Sequence, residues 1–186
     1  MQKLIFIISG PSGVGEDTII DELKKKLVID KVVTTTTRDM RQNEINGVSY
    51  YFINDQEFDK ELAEDNFFES AVQYNGKKYG VTHKEIQRVL NSQKIGIWKI
   101  EYKGVQKAKE LLGDKVIAIF ISAPLSSLEQ RIRGRGGMTE EQIKDRMEYT
   151  KEWIKHKDIY DFEVKNLDGH LKEAVQEVLE IIKNHS

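Results

Sequence analysis

The residues with the clearest chemical spacing stand near the start of the chain. Gly10-Pro11-Ser12-Gly13-Val14-Gly15 fills the glycine frame of the phosphate-loop pattern G-x-x-x-x-G-K-S/T. Glycines at that spacing let the backbone turn its N–H groups inward, where they and a helix N-terminus hold phosphate oxygens. The next positions break the pattern. Glu16 stands where lysine belongs, and Asp17 where a magnesium-ligating hydroxyl belongs, with Thr18 one position late. Two carboxylates beside a triphosphate repel it, by several kcal/mol at an effective dielectric of about 20. A nucleoside triphosphate therefore needs a compensating cation here. Gly96-Ile97-Trp98-Lys99-Ile100-Glu101 offers one, since strand alternation puts Lys99 and Glu101 on one face. Many phosphate-loop enzymes carry an aspartate near magnesium at the corresponding strand end. The charges at the two positions look exchanged, lysine for Glu16 and aspartate for Lys99. Lys99 is expected to pair with Glu16 or reach the phosphates, and Asp17 to bind magnesium directly, because hard cations prefer carboxylate oxygens.

These groups need a scaffold, and the hydrophobic pattern supplies one. Leu4 to Ile8 is an apolar run of strand length, suited to a buried parallel strand, and Ile19, Ile20, Leu23 and Leu27 follow at helical spacing. The phosphate loop thus joins a strand to a helix. Val32 to Thr37 reads as a second β stretch and Asn46-Gly47 as a turn before a strand over Val48 to Ile53. Asp55 is placed to cap a short helix containing Phe58 and Leu62. Phe67 to Val72 reads as a strand, followed by an Asn75-Gly76 turn. Residues 34 to 82 thus form a small mixed-β insert. Helical patterns resume at Ile86, Val89 and Leu90 and again at Val105, Ala108, Leu111 and Leu112, with strands at Ile95 to Ile100 and Val116 to Ile121. Ser126 to Arg135 is helical and then basic. Thr139-Glu140-Glu141-Gln142 has capping-box spacing and opens a helix to about Trp153. Phe162 and Val164 suggest a last strand, and Leu171, Val175, Val178, Leu179 and Ile182 a closing amphipathic helix. Alternating strands and helices imply an α/β fold, a parallel sheet flanked by helices.

The bulk composition narrows the classes. The chain has 186 residues, 39% hydrophobic and 32% charged, with net charge −2. That suits one globular domain and gives no global field for nucleic acid or anionic membrane. No apolar run approaches the roughly 20 residues of a membrane span, and the first residues carry no cleavage-site signature. The absence of cysteine excludes disulfides and thiolate metal sites and fits a reducing, cytoplasmic compartment. His83, His156, His170 and His185 are scattered, without metal-ligand spacing, and read as surface residues.

Taken together, the motifs resemble those of guanylate kinases. The resemblance runs almost end to end, through Ser9 to Gly15, Thr36-Thr37-Arg38, Arg41, Glu44-Ile45-Asn46-Gly47, Tyr50-Tyr51-Phe52, Phe68-Glu69, Tyr79-Gly80, Arg131-Ile132-Arg133-Gly134-Arg135-Gly136 and Arg146. It implies a phosphate-loop kinase of one domain in three parts: a core (1–33, 83–125, 151–186), a GMP-binding insert (34–82) and a helical lid (126–150). It implies that Gly10, Ser12, Gly13, Val14, Gly15, Glu16, Asp17 and Thr18 form the ATP phosphate site. It also implies that Arg38, Arg41, Tyr50 and Tyr79 hold the GMP phosphate, which suits guanidinium forks and tyrosine hydroxyls. Glu69 then reads guanine, accepting from N1–H and the N2 amine, with Thr34 and Thr82 near the base. Glu101 replaces an aspartate that also faces guanine.

The resemblance further places Arg131, Arg135 and Arg146 on the transferring phosphoryl group, to neutralise charge building there, and the charge exchange read from the residues adds Lys99 to them as a catalytic cation. Arg133 reads as surface, and Gly134, Gly136 and Gly137 as flexible joints. Asn166 lies where the family edges the adenine pocket, loop capping being the other role. The implied reaction transfers the γ-phosphoryl of ATP, with magnesium, to GMP or dGMP. An inactive module of the same fold, binding GMP or a phosphorylated partner, and a kinase for another monophosphate are the alternatives. Nucleic acid and membrane are not expected partners, and the sequence leaves the oligomeric state open.

Overall fold

A computed structural model describes residues 4–72 and 76–186 of the protein. The first sheet is wholly parallel. It contains β1 (Ile5–Ser9), β2 (Ile29–Lys31), β7 (Ile95–Trp98), β8 (Val116–Ser122) and β9 (Phe162–Lys165), in the spatial order β2-β7-β1-β8-β9. Strand alternation sends the side chains of β1 into two cores. Phe6 and Ile8 pack on one face with Ile19, Ile20 and Leu23 of α1 (Glu16–Lys24) and with Val175, Val178 and Ile182 of α7 (Leu171–His185). Ile5 and Ile7 pack on the other with Ile86 and Val89 of α3 (His83–Leu90) and Val105 and Ala108 of α4 (Tyr102–Leu112). All five β1 residues are buried, as a strand covered on both faces requires.

The second sheet has the order β4-β3-β6-β5, from β3 (Thr35–Thr36), β4 (Tyr51–Phe52), β5 (Phe67–Val72) and β6 (Lys78–Thr82). It is mixed, since β3 runs parallel to β4 and antiparallel to β6. α2 (Asp55–Ala63) covers part of it through Phe58, stacked on Phe67. α5 (Leu125–Gly134) and α6 (Glu140–Lys155) pack on each other beyond the C-terminal end of the parallel sheet's β8.

Several boundaries differ from the sequence expectation. The core strand expected from Val32 closes earlier, at Lys31, and only Thr35–Thr36 of the rest pairs, in the other sheet. The strand expected over Val48 to Ile53 shrinks to two residues. Asn54, not Asp55, caps α2, and it does so in a capping box with Glu57. The capping box at Thr139 and Gln142 forms as its spacing predicts. Leu62 and Leu111, expected on buried helix faces, are 48% and 53% exposed. His83, His170 and His185 are on the surface, while His156 is half-buried, its ring stacked on Tyr102 at 4.4 Å. Asn75, half of the expected Asn75-Gly76 turn, lies outside the described residues. Among the described residues no helix is long and apolar enough to cross a membrane.

Candidate active site at the C-terminal ends of the parallel strands

After β7 the chain crosses over β1 to β8, so the strand order reverses beside β1. Crevices of this kind, outside the carboxyl ends of parallel strands, are where open α/β sheets bind ligands. The loop from Gly10 to Gly15 leaves the end of β1 here. Its glycines are enforced by space and by torsion. A Cβ on Gly10 would lie 2.3 Å from the Ile121 carbonyl oxygen. Gly15 has φ of 94°, and a Cβ there would meet Asn166 Nδ2 at 2.6 Å. Asn166, at the end of β9 and 5% exposed, donates from that amide to the Val14 carbonyl at 2.7 Å. It therefore takes the loop-capping role. Behind the loop a hydroxyl chain ties strand ends together. Trp153 Nε1 donates to the Tyr160 hydroxyl at 3.0 Å, Tyr160 meets Ser9 Oγ at 2.9 Å, and Ser9 donates to the Ile100 carbonyl at 2.6 Å.

α1 opens on Gly15 with no side-chain cap, and its first turn carries Glu16 and Asp17. Acids there complement the helix dipole, which gives them a structural role whatever they do to a phosphate. Glu16 folds back into the loop, where Oε1 accepts from the Gly10 N–H at 2.7 Å. Burial pushes its carboxyl up to about 8, against the opposing pull of Lys99 and of that N–H. Lys99 does not pair directly with Glu16. Its Nζ donates to both oxygens of Asp17, at 2.7 and 2.9 Å. Burial works against the charges of Lys99 and Asp17, but each stabilises the other more. The ammonium is held above and the carboxyl below its ordinary range. Lys31, at the end of β2, is pushed down by burial and by Lys99. The expected exchanged pair is thus a cluster in which Lys99 bridges the end of β7 to the first turn of α1.

Lys99 and Glu101 do not share a strand face, because β7 ends at Trp98 and Glu101 begins α4 as its N-cap. Both still act on Glu16 through space. Thr18 is exposed on α1.

On the second sheet, Arg38, Tyr50 and Tyr79 come together. The Arg38 guanidinium lies 5.3 Å from the Tyr50 ring centroid, and the two tyrosine rings are 6.2 Å apart. Glu44, given no role from the sequence, organises this turn. It accepts from Arg38 NH2 at 2.6 Å and from the Arg41 backbone N–H at 2.8 Å. The arginine–x–x–arginine–x–x–glutamate spacing was the available signal. The Arg41 side chain is exposed. Glu69, on β5, is half-buried, and its carboxyl has no hydrogen bond or ion pair among the described residues. Burial and the facing Glu101 push it up to about 7, against the pull of Lys107. Thr34 is half-buried and contributes its carbonyl to the Tyr51 N–H. The Thr82 hydroxyl also caps α3, accepting from the Glu85 N–H at 3.1 Å.

The arginines beyond β8 divide. Arg131 spreads its fork over Asp168 (2.6 and 3.1 Å), the Asn166 carbonyl (2.9 Å) and the Gly13 and Val14 carbonyls (3.3 and 3.4 Å), so it grips the back of the loop. Arg146 reaches Ser12 Oγ from α6 at 3.1 Å. Arg135 is exposed at the end of α5 and acts on Asp17 only through space. Arg133 is a surface residue, paired with Glu129 and Glu140. Tyr149, also missed from sequence, donates from α6 to Glu101 Oε2 at 2.7 Å.

Comparison with known proteins places this geometry. The guanylate kinase family model matches residues 2–185. The guanylate kinase of Carboxydothermus hydrogenoformans is 36% identical, covering 94% of this chain and 85% of its own. That of Mesomycoplasma hyopneumoniae is 37% identical, covering 98% and 94%. A crystal structure of guanylate kinase from Anaplasma phagocytophilum superposes with a TM-score of 0.75 at 25% identity, over 98% of this chain and 85% of that one. With the family model matching nearly its whole length and relatives more than a third identical over most of both chains, the chain belongs to the guanylate kinase family.

Proposed function

We propose that the protein transfers the γ-phosphoryl group of ATP to GMP or dGMP, releasing ADP and the diphosphate. The observation that carries the acceptor is Glu69. A desolvated carboxyl without a partner is costly to a fold unless a ligand completes it. Guanine presents the matching donor pair, N1–H and the N2 amine, and adenine does not. Glu101 faces the same space. Arg38, Tyr50 and Tyr79 supply donors for the monophosphate, with Arg41 exposed beside them. Residues 34–82 are the acceptor insert, 126–150 the lid, and the remainder the core.

The donor occupies the loop from Gly10 to Thr18. Lys99 leaves Asp17 and turns to the phosphates, replacing the lysine that Glu16 displaces. Glu16 is tolerated because burial keeps it neutral to about pH 8. Magnesium in nucleotide sites is commonly held by one or two carboxylates plus substrate phosphates. Asp17, 73% exposed in its side chain, fits that modest donor set once Lys99 has moved. Asp17 would hold the ion, which would supply positive charge to the phosphates. Arg146 on Ser12 and Arg135 at the end of α5 close over the transferring group, while Arg131, bonded to the Gly13 and Val14 carbonyls, braces the loop from behind. The acceptor phosphate is itself the nucleophile, so positioning and exclusion of water do most of the remaining work.

The two acids in the loop favour a second reading, a module that binds GMP without turning it over. Coupled turnover with magnesium-ATP and a panel of GMP, dGMP, AMP and UMP separates them. The kinase reading expects ADP release with GMP or dGMP only. Tight GMP binding without turnover would establish the module instead.

A further inference from the structure

The chain crosses between its two sheets twice, leaving the parallel sheet after Lys31, through Val32 to Thr34, and returning at Thr82, just before α3. One residue reaches both crossings. Glu85 lies in the first turn of α3 and is 3% exposed. Its backbone N–H donates to Thr82 Oγ1 at 3.1 Å, at the return crossing. Its Oε1 accepts from the Val33 N–H at 2.7 Å, at the outward crossing. Its Oε2 accepts from the Tyr51 hydroxyl at 3.3 Å, on β4 of the second sheet.

Arg88, one turn further along α3, closes over the carboxylate. Its Nε and NH2 each lie 2.9 Å from a Glu85 oxygen. NH1 grips Asp30 at 2.8 and 2.9 Å, and NH2 also reaches the Lys31 carbonyl at 3.1 Å. A buried carboxylate held by a guanidinium fork and a backbone N–H is fixed in place. The attachments are unequal. Short, charge-assisted bonds tie Glu85 to β2 and α3, while a single long bond from one neutral hydroxyl ties it to β4. Beside that bond, a cleft of about 580 Å³ separates α2 and β4 from α3, lined by Tyr51, Glu57, Lys60, Phe67, Glu85 and Arg88. The cleft leaves α2 and β4 without close packing against α3 beside this contact.

We propose that Glu85 is the pivot on which residues 34–82 turn against the core. It is a positioning residue that sets the angle at which the acceptor nucleotide is presented, and Tyr51 is the contact that limits the swing. The link to the acceptor rests on the function proposed above. The pivot itself does not, and the test keeps the two apart.

The chain contains no cysteine, so Leu62→Cys on α2 and Leu111→Cys on α4, both at exposed positions, accept a pair of spin labels without background. Pulsed distance measurements read the angle directly, with and without GMP. Tyr51→Phe removes the long bond and leaves the buried pair intact. Its distance distribution in the free protein should broaden, with the GMP dissociation constant rising about threefold to tenfold and the ATP constant unchanged. Glu85→Gln keeps an acceptor for Val33 and should broaden the distribution less than Glu85→Ala. Unchanged distributions in both Tyr51→Phe and Glu85→Gln would overturn the pivot. A broadened distribution in a protein that binds no GMP would uphold the pivot and remove the acceptor reading instead.

Discussion

Glu69 on the second sheet and Glu16 in the phosphate loop are both carboxyls that burial pushes up, to about 7 and about 8. Their surroundings make them opposites. Glu69 has no hydrogen bond or ion pair among the described residues, and an arriving guanine would supply donors to it. Glu16 already accepts from Gly10, and an arriving phosphate would bring more negative charge. On the function proposed above, the acceptor site would need its acid ionised, whereas the donor site would need its acid neutral. One physical cause, loss of water, thus works against the charge that the first carboxyl would carry to meet a base and removes the charge that would make the second repel a phosphate.

The comparison breaks most severely if the cation is removed from the donor side. Lys99→Ala deletes the ammonium that offsets both loop acids and leaves Asp17 without its ion pair. The specificity constant for ATP should fall about 10³-fold, the scale of losing a cation on a transferring phosphoryl group. That for GMP binding alone should hardly move. Returning the charges to their usual places, in Glu16→Lys with Lys99→Asp, should recover much of the loss. A fully active Lys99→Ala variant would end the exchange idea.

On the acceptor side, Glu69→Gln replaces an acid with an amide that can still accept but carries no charge. The specificity constant for GMP should fall about 10²-fold, measured by coupled assay with ATP saturating. Stability should move the other way. A carboxyl raised in the fold costs stability once pH climbs from its unfolded value of 4.5 toward about 7, because only the unfolded chain ionises it freely. At pH 8 the variant should melt higher than the native protein. Lower activity with a lower melting temperature would mean that Glu69 serves the fold rather than the base.

Proton dependence sharpens the contrast at intermediate size. If only neutral Glu16 admits the triphosphate, KM for ATP rises above pH 8, by about tenfold at pH 9. If only ionised Glu69 reads guanine, KM for GMP rises below pH 7, by about tenfold at pH 6. The two limbs face in opposite directions and leave an optimum between them. Glu16→Gln should flatten the basic limb without touching the acidic one. A basic limb that persists in Glu16→Gln would assign it to another group.

How far the sequence reads differs between the two regions for the same reason. The parallel sheet and its helices were legible because buried strands are continuous apolar runs and their helices carry a clean period. The glycine frame was legible because Gly10 and Gly15 have no room for a Cβ. The second sheet was legible only as a β-rich insert, since two-residue strands such as Tyr51–Phe52 leave no period to read. Partner choice was the least accessible. Lys99 is close in space to both loop acids, and the first turn of α1 decides that it meets Asp17, because Glu16 is folded back onto Gly10. Likewise the Thr82 hydroxyl beside the acceptor motifs serves the start of α3 as a cap, a role set by the backbone groups left open at a helix end rather than by the motif.

The smallest effect is expected where the two regions meet. α6 touches the donor loop through Arg146 on Ser12 and the acceptor side through Tyr149 on Glu101. Glu101 is exposed and is one methylene longer than aspartate, so it has more rotamers to lose when it faces a base. The Tyr149 hydroxyl, held protonated by burial and by that carboxylate, removes part of that freedom in advance. Tyr149→Phe keeps the ring and its packing with Tyr102 and Trp153, and deletes only the donor. Losing one such bond to a partly solvated acid should raise KM for GMP about twofold to fivefold. KM for ATP should stay put, because Arg146 sits three residues away on the same helix and is untouched. Equal rises in both constants would show that Tyr149 acts by seating α6 as a whole, and that Glu101 needs no help from it.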